Sequence, residues 1–363
     1  MTPSPPGPSR TDAIERAAHL LARARSPFVY GLARSPVGTA RLAARLAARL
    51  DAAIDIEGGD RLAPEIEAIA ATGQVTVTFG ELRAAADCVV LWRTDPRDQL
   101  FPAGSAPGTR RFIVIPPAPE SEFEMPLPAA DEDDIVAPVP AGCDLEALQS
   151  LRFLLGTAEG GRRDGLRKAA EAMRESRRVV ILWDPALTAH PHEMAAGFAQ
   201  LTLEPRSRPR IAVKAVGEPG HVAGAMAGLL AATGYPRAVA FRGGRATCDP
   251  LRFGAGRMLG GGADLVVAIE PALAPPAPLS APLVLISSHR PAGWPEPDVF
   301  LPIASPRESG DGLWLGADGI PEPALDPSRR GTPPPHATGT GDEALAALLE
   351  RFPPAGRNAR PGS

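Results

Sequence analysis

Short runs of unbroken apolar side chains recur along this chain, and they limit its fold more than any other feature. Cys88–Trp92, Val179–Trp183, Leu265–Ile269 and Leu283–Ile286 are each only four or five residues long. They are too short for helices, and they lack the polar alternation of a strand with one wet face. Such runs belong to strands of a parallel sheet covered on both sides by helices. Helical stripes lie between them: Ile14, Ala17, Leu20, Leu21 and Ala24 from Asp12 onward, then Leu42, Leu46 and Leu50 flanked by Arg41, Arg45 and Arg49. In the second of these helices Ser35 is expected to be the N-cap, with Pro36 in the first turn and the arginines solvated.

The expected fold class is therefore α/β, with doubly wound, Rossmann-like units and mainly parallel sheets. At 363 residues the chain has room for about two such units. Four strings in the first half recur in order in the second. Phe28-Val29-Tyr30 is echoed by Val179–Trp183, and Ala86–Leu91 by Ala263–Ala268. Arg111–Ile115 is echoed by Pro282–Ile286, and Asp134–Val139 by Asp298–Ile303. This repetition predicts two related units meeting near Gly142. The expected organisation is a tail over 1–11, a first unit over 12–142, a second over 143–325, and a linker with a short helix over 326–363. Pro and Gly crowd into 1–10 and 321–341 (tail and linker) and into 102–108, 116–130 and 271–282 (loops). Val75–Phe79 is read as a further extended segment. The C-terminal stripe Leu345, Leu348, Leu349 and Phe352 must dock on its own body or on a partner.

Charge and cysteine content exclude several classes. The formal net charge is −4 with no basic block, which argues against nucleic acid. No apolar run reaches the ~20 residues of a membrane span, and the opening MTPSPPGPSR lacks a signal-peptide core, so a cytoplasmic protein is expected. Lys168 and Lys214 are the only lysines; arginine supplies the rest of the positive charge. Cys88, Cys143 and Cys248 are isolated, too few for an iron–sulfur cluster or a structural zinc site.

Candidate functional residues are sparse. The loop Gly31-Leu32-Ala33-Arg34-Ser35 follows the first strand but lacks the dinucleotide fingerprint. Gly254-Ala255-Gly256, Arg257 and Gly260-Gly261-Gly262 precede a strand and read as loop. Arg242-Gly243-Gly244-Arg245 could grip an anion, with a turn carrying two solvated arginines as the plainer reading. His190-Pro191-His192-Glu193 has two of the ligands a metal would need but no third, and reads as a polar loop. His221 opens a helix and His289 follows a strand; each could be an acid/base group or a hydrogen-bonded structural residue. Asp131–Asp134 reads as a solvated turn, and no nucleophile elbow is present. No catalytic, cofactor-binding or metal-ligating residue is assigned.

Longer strings resemble a known family. Ser26–Gly31 with Ser35, Gly73–Leu82, Ala86–Trp92 with Asp95-Pro96, Thr233–Gly244, Ala304–Gly310 and Trp314–Gly319 are similar to the formylmethanofuran dehydrogenase family, specifically its molybdopterin-related B subunits, over about residues 14–325. The resemblance implies the fold of the central domains of molybdopterin oxidoreductases. Members carry a tungsten or molybdenum bis-pterin, a metal-binding Cys or selenocysteine and an N-terminal cysteine cluster. Here no cysteine precedes Cys88, and the stretch expected to hold the metal ligand reads Gly58-Gly59-Asp60-Arg61-Leu62-Ala63-Pro64. Without a soft thiolate that redox chemistry cannot run.

Among such relatives the chain looks most like the cofactor-less B subunit of the bacterial formyltransferase/hydrolase complex. That resemblance implies a non-catalytic structural subunit with no cofactor, in an assembly that oxidises formaldehyde to formate through tetrahydromethanopterin-linked formyl transfer. Its implied partners are hydrolase-type A and C subunits and a formyltransferase D subunit. The alternative is a redox-active oxidoreductase subunit retaining a pterin or nucleotide, using Arg242, Arg245 or His221. A third, weaker reading is a middle domain like that of thiamine-diphosphate enzymes.

Overall fold

A computed structural model of the chain describes residues 9–101, 110–116, 134–157, 164–205, 209–217, 221–309, 312–322 and 339–353. Its strands are β1 (Pro27–Gly31), β2 (Ala53–Ile56), β3 (Cys88–Trp92), β4 (Arg111–Ile115), β5 (Ile135–Val136), β6 (Arg178–Trp183), β7 (Arg210–Ala215), β8 (Val239–Arg242), β9 (Arg245–Cys248), β10 (Leu265–Ile269), β11 (Leu283–Ser287) and β12 (Val299–Pro302). They form a seven-stranded sheet ordered β12-β11-β10-β1-β2-β8-β9 and a five-stranded sheet ordered β5-β4-β3-β6-β7. All pairings are parallel except those made by β8. The doubly wound α/β expectation holds.

The division at Gly142 does not. Met1–Gly59 and Pro219–Ser363 make one compact unit, here the outer unit, and Asp60–Glu218 make the inserted unit. Leaving out β8 and β9, the two strand orders superimpose: β12 on β5, β11 on β4, β10 on β3, β1 on β6 and β2 on β7. Every sequence echo thus falls on matching sheet positions. The copies have exchanged parts, however: β1 and β2 complete the sheet of β10–β12, and β6 and β7 complete that of β3–β5. Similar strings reveal which strands are alike. They carry no record of which strands pair, because pairing is set by long-range crossovers.

The exchange is pinned by matched aspartates. Asp87, just before β3, accepts the N–H groups of Arg177 (2.9 Å) and Arg178 (2.8 Å). Asp264, just before β10, accepts those of Arg25 (2.7 Å) and Ser26 (2.9 Å). Each carboxylate satisfies two amides at the start of the neighbouring strand. In the inserted unit Trp92 and Trp183 pack on Phe198 at centroid distances of 5.4 and 5.3 Å. In the outer unit the helix Val222–Thr233, built of small residues, lies so close to the helix Val37–Arg49 that a Cβ on Gly228 would stand 2.6 Å from the Val37 carbonyl oxygen.

Two local expectations are revised and one open alternative is resolved. Val75–Thr78 joins no strand ladder; the Val75 carbonyl accepts from the Val213 amide and the Val75 amide donates to Thr202 Oγ1, each at 3.0 Å. Ser35 is not the N-cap of Val37–Arg49: Pro36 holds that position, and no side chain caps the helix. The left-handed Leu32 (φ 71°) turns the loop and the Ser35 amide bonds back to the Leu32 carbonyl (3.0 Å), so Ser35 falls one residue short of the cap. The C-terminal helix Gly341–Arg351 docks on its own unit, burying Ala344, Leu345 and Leu348. Asp342 accepts from Thr39, and Arg351 pairs with Glu15. Among the described residues no helix is long and apolar enough to cross a membrane.

Candidate functional site

Parallel α/β sheets present their loops at the carboxyl ends of the strands, and ligands gather where the strand order reverses. In the outer unit that reversal lies between β1 and β10. Gly31 closes β1 with φ 107°, and a Cβ there would sit 2.3 Å from the Ile269 carbonyl oxygen, so only glycine fits.

Three buried carboxyls stand at this edge or just below it. Glu57, directly after β2, is fully buried and accepts the N–H groups of Ala272 (2.6 Å) and Leu273 (2.8 Å). Glu270, directly after β10, is 1% exposed and has a left-handed backbone, φ 42°. It accepts from the Ser288 amide and from Ser288 Oγ (3.2 Å). Asp55, within β2, accepts the amides of Ala238 and Ala255, each at 2.9 Å, with Arg237 at 3.7 Å. Burial raises the pKa of all three above the ordinary carboxylate range, against the lowering effect of those donors.

Arg34 exerts its charge on both glutamates and lies 3.1 Å from His289 Nε2. Because a guanidinium only donates, Nε2 must be the acceptor, so Nδ1 carries the proton and faces Ser288 Oγ at 3.3 Å. The serine proton is then directed to Glu270. In this arrangement His289 donates to Ser288 and Ser288 donates to Glu270, so the ring is not placed to take the serine proton. Burial, followed by Arg34, lowers the His289 pKa, in keeping with a neutral ring.

Beside Glu270 is a cavity of about 150 Å³ lined by Ser35, Thr39, Glu270 and Asp342 with Ile269 and Ile303 among its walls. Ser35 Oγ is buried there without a hydrogen-bond partner.

The other sequence candidates lie apart from this cavity. Arg242 and Arg245 face each other across a two-residue hairpin turn, with Gly243 and Gly244 both at positive φ, and both arginines are exposed. The amide of His221 bonds to Ala33, and its ring is held by the Leu315 carbonyl (3.2 Å) and by Trp314, at a centroid distance of 4.8 Å. His192 pairs with Glu67, whereas His190 caps the next helix in a left-handed conformation, so the two do not converge. Ala255–Leu259 form short helical turns, and the backbone leaves helical geometry at Gly260 and Gly261. Asp134 pairs with Arg97 (2.6 Å); residues 131–133 lie outside the described residues.

The donors that a tungsten or molybdenum centre would need are not assembled. Gly59–Thr72 is a helix without a thiol, and Arg61 within it bonds to the Gly217 carbonyl. Burial pushes the Cys88 thiol up to about 12, and Cys248 donates to the Arg237 carbonyl. Among the described residues no three His, Cys, Asp or Glu side chains gather as a metal would require. This residue set does not fit a soft metal centre.

Comparison with known proteins gives a fold relationship. No family model matches the chain, and no curated protein matches it. A chain in the crystal structure of the formyltransferase/hydrolase complex (FhcABCD) from Methylorubrum extorquens, in complex with methylofuran, superimposes with a TM-score of 0.76. The match covers 95% of this chain and 96% of that one at 21% identity. The chain therefore shares the fold of a chain of that complex over 95% of its length.

Glu57 and Glu270 are absent from the sequence candidates, and Ser35 enters them only as the end of the loop after the first strand, yet a signal for the two glutamates exists. A charged residue directly follows five strands; at Ile56-Glu57, Trp92-Arg93, Trp183-Asp184 and Ile269-Glu270 it is buried, and only Asp249 after β9 is not. A charge next to a fully apolar run, inside the protein, marks the carboxyl-end crevice.

Proposed function

We propose that this chain is a non-catalytic structural subunit of a formyltransferase/hydrolase complex, the counterpart of its B subunit. Such a complex moves a formyl group from a tetrahydromethanopterin carrier to a furan-bearing one and hydrolyses it to formate. The observation that carries the reading is fold similarity over 95% of the chain to a chain of such a complex, supported by the lack, among the described residues, of any group of three His, Cys, Asp or Glu placed to hold a metal. Cys88 is buried, Cys248 is bound to a backbone carbonyl, and the Arg34–His289–Ser288–Glu270 hydrogen bonds direct the serine proton away from the histidine. The partners are the hydrolase-type A and C subunits and the formyltransferase D subunit, and catalysis belongs to them.

Co-expression tests this directly. Formyl-transfer and hydrolase activity should need this chain for assembly, yet should survive Arg242→Ala, Arg245→Ala and His221→Ala nearly unchanged. A redox-active subunit would instead reduce or oxidise a formyl carrier with an electron acceptor and lose that activity in those variants.

A further inference from the structure

The amino ends of β1 and β2 form a face of the outer unit that the carboxyl-end crevice does not use. It holds a cavity of about 260 Å³ lined by Arg242, Arg252 and Arg257, with Ala240, Phe253 and Met258 among its apolar walls. Arg245 stands beside Arg242 on the same face of the hairpin, and all four arginines are exposed. Arg242 donates to the Asp51 carbonyl at 3.2 Å, and Arg252 lies 5.5 Å from the centre of the Phe253 ring. Among the described residues no carboxylate comes within ion-pair distance of any of the four. Exposed arginines elsewhere do find acids: Arg111 meets Glu175, Arg290 meets Glu296 and Arg351 meets Glu15. In a chain of net charge −4, four unmatched guanidinium groups in one place select for an acidic occupant.

Two further observations decide what kind of occupant. Leu251, on the same cavity, is 88% exposed, more than any other large apolar side chain described. β9 ends its sheet, and among the described residues no strand lies on its outer side. The two-residue hairpin turns the backbone groups of Arg245 and Thr247 toward β8, so the N–H and C=O of Ala246 face outward. A small anion would use the guanidinium groups alone and leave both features idle. Nucleic acid would find no free ring to stack on, because Arg252 already lies over Phe253. A bilayer would gain one leucine and no use of the strand edge. A second copy would set the same arginines against themselves, since a two-fold contact joins like patches.

We propose that this face seats a short extended segment of a partner subunit that carries carboxylates beside a bulky apolar residue. The segment adds to the open edge of β9, its carboxylates meet Arg252 and Arg257, and its apolar residue packs on Leu251 at the cavity mouth. Arg242 and Arg245 lie at the rim, where loss of a single charge changes little. The proposal rests on the subunit role and names the surface through which that role is exercised.

The test is hydrogen exchange and cross-linking on the isolated assembly, set against the free full chain. Amides of Arg245–Phe253 should exchange about tenfold or more slowly in the assembly. Arg252→Lys keeps the charge and offers an amine, so carbodiimide should couple residue 252 to an aspartate or glutamate of the partner; Lys168 and Lys214, the chain's own lysines, both lie in the inserted unit. Leu251→Asp and the double variant Arg252→Glu/Arg257→Glu change exposed side chains, so the free chain should keep its unfolding midpoint while association weakens about tenfold or more. An assembly whose hairpin exchanges as in the free chain, or that forms equally well with both variants, would overturn the surface and leave the subunit role standing. Companions of another kind, coupled to this patch through an acidic segment, would overturn the role and leave the surface. Binding of a DNA duplex or of phosphatidylserine vesicles by the free chain, lost in Arg252→Glu/Arg257→Glu, would give the patch a different occupant and overturn the proposal.

Discussion

The outer and inserted units place very different side chains at the same point of the same sheet. Arg93 follows β3, and Glu270 follows the matching strand β10. Both are 1% exposed, both have left-handed backbones (φ 58° and 42°), and both amides donate to the next strand, at Ile115 and Ile286. In the inserted unit each guanidinium nitrogen of Arg93 has a partner. It pairs with Asp144 at 2.9 Å and also donates to the Pro116 and Pro140 carbonyls, while Asp144 takes the Trp92 indole N–H at 2.8 Å. In the outer unit Glu270 borders a cavity with an unpaired serine. A duplicated fold therefore kept one reversal point as a solid ionic plug and left the other open.

Breaking the plug should give the largest effect. Asp144→Ala leaves a buried guanidinium uncompensated and should cost about 3–5 kcal/mol, read as a lower denaturant midpoint and loss of amide protection confined to Asp60–Glu218. The double variant Arg93→Met/Asp144→Leu should recover most of that loss. Next in size, Asp87→Ala and Asp264→Ala should each cost about 1–3 kcal/mol, because each frees two strand-start amides. Equal costs would support the duplication; a large cost at one site and none at the other would break it.

A smaller, pH-dependent difference should separate the units. Asp55, Glu57 and Glu270 all have raised pKa values in the folded outer unit, so it binds more protons than its unfolded chain does. Their stabilisation is complete below the unfolded values of 3.8 and 4.5 and is lost as pH rises through the folded ones. Among the described carboxyls of the inserted unit, Asp184 alone shows this shift. Hydrogen exchange from pH 5 upward, corrected for intrinsic rates, should therefore show protection falling faster in the outer unit. The last change should run the other way: Ser35→Ala removes a buried hydroxyl with no protein partner and should raise stability, by about 1 kcal/mol on thermal unfolding.

How much of this the sequence carries varies by level. The apolar runs gave the strands because burial on both faces leaves a direct mark on composition. The echoes gave the duplication, down to Asp87 and Asp264. Domain boundaries were out of reach, since nothing in β1 or β6 says which copy completes its sheet. The site was only partly legible. His289 stood out as a histidine after a strand, whereas Ser35 looked like an ordinary helix cap, and its isolation depends on a left-handed turn at Leu32. Arg242 and Arg245 drew notice by type, yet they close an exposed hairpin.

The most direct measurement is isolation of the native assembly through a tag on this chain, with intact-mass identification of its companions and elemental analysis. Hydrolase-type and formyltransferase subunits should accompany the chain in fixed ratio, with no tungsten or molybdenum bound by it. A lone chain with its own activity, or one mole of either metal per mole of this chain, would contradict the structural role.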